Sequence, residues 1–68
     1  MHTPAEVIAH LKAELASWEM FLARNEACVK GFKFNTKSDE RRALIAIADI
    51  TKVVEGNRNR LNEYLAKA

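Results

Sequence analysis

The sequence predicts an all-α fold: one antiparallel two-helix hairpin, with helices at about 4–30 and 38–66, that dimerises into a four-helix bundle. Three observations predict it. A strong helix-start signal opens the chain, two long stretches repeat apolar residues at alternating spacings of three and four, and a single short break separates them. Residues 1–68 form one domain, and with two glycines and one proline the chain has little punctuation, which favours few, long elements.

The first helix begins at "HTPAEV". Thr3 is placed to cap the first free amides, Pro4 suits the first helical position, and Glu6 stands three residues after Thr3 as in a capping box. Apolar residues then recur at Ile8, Leu11, Leu15, Trp18, Leu22 and Val29, a heptad seam with Asn25 set into it. Val7, Phe21 and Cys28 widen the stripe on one side, and Met20 lies just outside it. The pattern stops at Gly31, which reads as a left-handed C-cap, with Phe32 folding back on the last turn. A helix of this length spans on the order of 40 Å.

The second helix follows "FNTKSDERR", where either Thr36 or Ser38 can cap it, and Asp39 and Glu40 suit the positive end of its dipole. Its apolar positions are Leu44, Ile47, Ile50, Val54, Leu61 and Leu65, flanked by Ile45, Val53 and Tyr64. The seam is interrupted near Thr51, Asn57 and Arg58. Gly56 in mid-helix marks either a kink or a close approach of a neighbouring helix to bare backbone, the second being preferred. The short connection makes the two helices antiparallel neighbours. Two helices touching along one line do not cover stripes this wide, so a second copy of the chain is the expected remedy. The residues expected to build that dimer are Leu11, Leu15, Trp18, Leu22, Ile47, Ile50, Val54 and Leu61.

Charge narrows the function classes. The net charge is +2, and all of it arises in residues 35–68, which carry seven basic and five acidic side chains. That is small for a committed nucleic-acid binder. The one cysteine, Cys28, allows neither an intrachain disulfide nor a cysteine-based zinc site within one copy, and reads as a buried small hydrophobe. With no signal-peptide pattern and no membrane-spanning apolar run, a cytoplasmic protein is expected.

Nothing in the chain reads as catalysis, so no enzyme activity, cofactor or metal is expected. No Ser-His-Asp order, phosphate-binding glycine loop or paired-carboxylate motif is present, and His10 between Glu6 and Glu14 matches an ordinary wet helix surface. The stretch "KGFKFNTK" interleaves Lys30, Lys33 and Lys37 with Phe32 and Phe34. Its bland reading has Phe32 closing the first helix and Phe34 plugging the bundle end. Its functional reading has the rings stacking on bases while the lysines neutralise phosphates, or one exposed ring anchoring a protein partner. Arg58 and Arg60 are about 160° apart around a helix and share no face. They are expected to be solvated or to pair with Glu55 and Glu63, and Arg58 is placed on the apolar seam, where it pairs across the bundle or lies at an exposed edge. Asn25 on its seam either specifies register or sits at a fraying helix end. The partner surface is assigned to Phe34, Arg41, Arg42, Arg58 and Tyr64.

In layout the chain resembles two groups of small helical-hairpin proteins: plasmid copy-number regulators that dimerise and bind paired RNA loops, and short phage-encoded proteins that dimerise and block a host protein, including anti-quorum-sensing inhibitors. The likeness is carried by the capped start Thr3–Glu6, the seam from Ile8 to Val29, the turn at Gly31 and the seam from Leu44 to Leu65, which together span the chain. The phage group implies a homodimer that inhibits or regulates a second protein, such as a transcriptional activator. The plasmid group implies a dimer that binds RNA; independently of it, the basic loop and the start of the second helix set the alternative reading, an RNA- or DNA-binding regulator using Lys33, Lys37, Arg41 and Arg42.

Overall fold

Thr3 starts α1 (Pro4–Gly31) by accepting a hydrogen bond from the Glu6 amide on Oγ1 at 3.2 Å, with Pro4 in the first turn. The structure, a computed structural model, describes residues 3–67. Thr36, not Ser38, caps α2 (Lys37–Lys67): its Oγ1 accepts from the Asp39 amide at 3.1 Å, and its carbonyl accepts from Glu40. Both helices therefore begin with the same device, a threonine hydroxyl satisfying an amide that has no partner inside the helix. The two helices pack against each other, and the described residues contain no strand. No helix among them is long and apolar enough to cross a membrane.

The end of α1 differs from expectation. No glycine has a positive φ, so Gly31 is no left-handed cap. It finishes the helix in right-handed geometry, the Phe32 amide donates to the Val29 carbonyl at 3.3 Å, and the chain leaves extended at Phe32. An extended exit carries the chain straight across to α2, which a left-handed reversal is not needed to do.

Leu11, Leu15, Val54 and Leu61 form the buried core, with Val7, Ile8, Trp18, Leu22 and Ile50 packed against it. Asn57, only 7% exposed, joins the same face of α2 between Val54 and Leu61. Ile47, Ile50, Val54, Asn57 and Leu61 keep the alternating spacing without a break, so the seam runs through Asn57. Arg58 is displaced to the flank, contrary to its expected seam position. Among the described residues no fully covered side-chain nitrogen or oxygen lacks a partner, so the Asn57 amide, which makes no hydrogen bond to them, keeps contact with solvent at the edge of the core. Gly56 lies on the outer surface, with nothing within 4 Å of where a Cβ would stand. The expected close approach of a helix there is absent within the hairpin, and α2 continues unbroken past it.

The molecule is a rod. It measures 50 × 18 × 15 Å and its radius of gyration is 15.7 Å, against about 11 Å for a globular chain of this length. Its surface is 5616 Å², whereas a compact monomer of 7.7 kDa exposes about 4,300 Å². The excess, about 1,300 Å², is larger than the ~800 Å² each partner covers in a standard protein interface.

Candidate functional site

The hairpin has two unlike flanks. Lys12, Glu19 and Glu26 repeat every seven residues along one flank of α1, and Glu19 meets Arg58 of α2 there, with Nη2 donating to Oε2 at 3.4 Å. Arg58 thus pairs across the helices rather than with Glu55 or Glu63 on its own helix. Phe21 lies about 160° around α1 from Glu19, and Val53 about 140° around α2 from Arg58, so both fall on the opposite flank. There Phe21 packs edge-on against Trp18, ring centres 5.9 Å apart, and a shallow apolar hollow opens beside Ser17. Phe21, Val53 and Tyr64 are all exposed.

The eight residues expected to form the dimer are placed as follows. Leu11, Leu15, Val54 and Leu61 are buried in the hairpin's own core. Trp18, Leu22, Ile47 and Ile50 remain half-buried. Leu44 and Leu65, assigned to the α2 seam, are exposed instead. Asn25 is half-buried, and its amide donates to the Phe21 carbonyl one turn back at 2.8 Å, a bond within its own helix.

At the loop end, Cys28, Val29, Phe32, Phe34 and Ala43 line a second apolar groove. Phe34 is half-buried there and meets Phe32 edge-on, ring centres 4.9 Å apart. Phe32 stays 64% exposed, so it does not close the helix end as expected. Cys28 is exposed, contrary to its expected burial, because it sits on the flank at the mouth of this groove. Around the groove the segment 28–42 carries Lys30, Lys33, Lys37, Arg41 and Arg42 against Asp39 and Glu40, a net charge of +3. All five cations are exposed, and among the described residues none has an ion-pair partner. The rest of the chain is net −1, so the positive charge is a property of this end.

Of the expected partner surface, Phe34, Arg41 and Arg42 come together at the loop end. Arg58 sits on the charged flank, and Tyr64 lies near the C-terminal end of α2, at the opposite end of the rod. The residue missed at sequence level is Cys28 as a groove-lining group; its spacing of seven from Phe21 was the available signal. Glu14 pairs with His10 at 3.7 Å on the exposed surface, and among the described residues no cluster of three or more His, Cys, Asp or Glu is placed to hold a metal. Compared with known protein families, curated proteins and solved structures, the chain matches none.

Proposed function

We propose that the chain acts as a homodimer, a four-helix bundle that binds a second protein and thereby inhibits or regulates it. The observation that carries this reading is the surface excess: a rod exposing about 1,300 Å² more than a compact monomer has area to bury in a partner. A second copy packed on the Trp18–Phe21 flank completes the burial of Trp18, Leu22, Ile47 and Ile50 and leaves the loop end and the charged flank for another protein. In the form suggested by the chain's layout, the target is a cytoplasmic host regulator such as a transcriptional activator, and the chain is a phage-encoded inhibitor.

The experiment is affinity capture from the native host with the purified protein as bait, repeated with Arg58→Glu and Phe34→Ala. The reading expects one discrete protein recovered by the parent chain and lost with Phe34→Ala. Equal recovery by all three baits contradicts the assigned surface, and recovery of no protein contradicts the function. The unpaired cations of residues 28–42 favour a second reading, nucleic-acid binding through Lys33, Lys37, Arg41 and Arg42. It predicts affinity falling steeply between about 50 and 200 mM salt, and a flat response eliminates it.

A further inference from the structure

We propose that the loop-end groove is a docking site for an acidic amphipathic segment of a partner protein. The segment seats apolar side chains on Cys28, Val29, Phe32, Phe34 and Ala43 and turns its carboxylates toward the surrounding lysines and arginines. The inference rests on the reading of the chain as a protein-binding module and names the chemistry of what it binds.

Two features act together. The groove is lined by aromatic, aliphatic and thiol groups, so its floor rewards an apolar side chain. Its surround is cationic without internal neutralisation, five exposed and unpaired cations against two acids. Unpaired charges at an interface rim select partners by sign and speed their encounter, while the central apolar contacts hold them. Arg41 and Arg42 add the fork geometry that accepts carboxylates in pairs of hydrogen bonds. A nucleic-acid track needs cations strung along a path; here they gather at one end of a rod whose remainder is net negative. The docked segment also covers Phe32, the most exposed of the large hydrophobic side chains described.

The test uses the full chain and three labelled probes: a short helical peptide with leucine and phenylalanine spaced three and four apart on one face and glutamate on the other, the same peptide with serine replacing the apolar residues, and a single-stranded oligonucleotide of similar length. Binding is read by fluorescence anisotropy, and the rate of Cys28 alkylation reports whether the groove is covered. The apolar acidic peptide is expected to bind at least about tenfold more tightly than either other probe and to slow Cys28 alkylation by a similar factor. Combining Arg41→Glu with Arg42→Glu, which leaves α2 foldable because acids suit the first turns of a helix, weakens it about tenfold. Phe32→Ser, at an exposed position, does the same, and Arg58→Glu leaves it unchanged. Equal binding of the serine peptide, tighter binding of the oligonucleotide, or binding that leaves Cys28 freely reactive each overturns the proposal. The mass of the unliganded protein is measured alongside. A single-chain mass removes the dimer and leaves the groove test standing, because one chain supplies every groove residue.

Discussion

The half of the hairpin near the chain termini and the half near the loop share one spacing rule and close differently. Every buried residue among those described, Leu11, Leu15, Val54, Asn57 and Leu61, lies in the terminal half. In the loop half no residue is buried, and Phe21, Phe32, Leu44 and Ile45 are exposed. The seam of α1 keeps its three-and-four alternation through both halves. What changes is the side chains the two seams present: Leu11, Leu15, Val54 and Leu61 close around Asn57 in the terminal half, Trp18, Leu22, Ile47 and Ile50 follow half-buried, and Asn25, Val29 and Ala43 take over nearest the loop. Small or polar residues at the line of contact bury little apolar area, while the large hydrophobics fall on the flanks. The lesson is that periodicity aligns two helices, and residue size along the seam decides where they seal. The unsealed half is the one with surface left for partners.

Truncation tests that contrast most strongly. Leu15→Ala should destabilise the fold by about 3 kcal/mol in urea melts, since it empties part of the buried core. Ile47→Ala, on the half-buried loop side, should cost no more than about half of that at high dilution. If a second copy covers the loop half, its cost rises with protein concentration, and a cost matching that of Leu15→Ala at every concentration would erase the distinction between the halves. Removing either cap, by Thr3→Ala or Thr36→Ala, should cost about 1 kcal/mol each by the same assay, because each hydroxyl satisfies one backbone amide.

Gly56→Ala should raise stability by up to about 1 kcal/mol, because the added methyl meets open space and the helix gains a better former. A loss instead would show that another chain packs on that backbone. The smallest effect belongs to the charged flank. Breaking the exposed Glu19–Arg58 pair with Arg58→Ala should cost less than about 1 kcal/mol and nothing at high salt.

Both helices, their boundaries to within about one residue, and the Thr3 start were legible in the sequence because capping and periodicity are local properties. What was not legible depends on the partner helix. Asn57 and Arg58 are neighbours, and only the α1 surface decides that the shorter, neutral one faces inward while the longer one reaches Glu19. Gly31 suggested a left-handed cap by residue type, but the path to α2 called for an extended exit at Phe32. Cys28 looked like core by composition and lies on a flank. The candidate site was half legible for the same reason: Phe34, Arg41 and Arg42 are close in sequence and so share an end, whereas Arg58 and Tyr64 needed the register of the hairpin to be separated from them.

The central claim is that one copy of this rod leaves too much apolar surface uncovered and pairs with a second. Sedimentation equilibrium at micromolar concentration tests it most directly. The account predicts a single species of twice the 7.7 kDa chain mass, with a melting temperature that climbs as the protein is concentrated. A 7.7 kDa species that melts cooperatively at a concentration-independent temperature would contradict it.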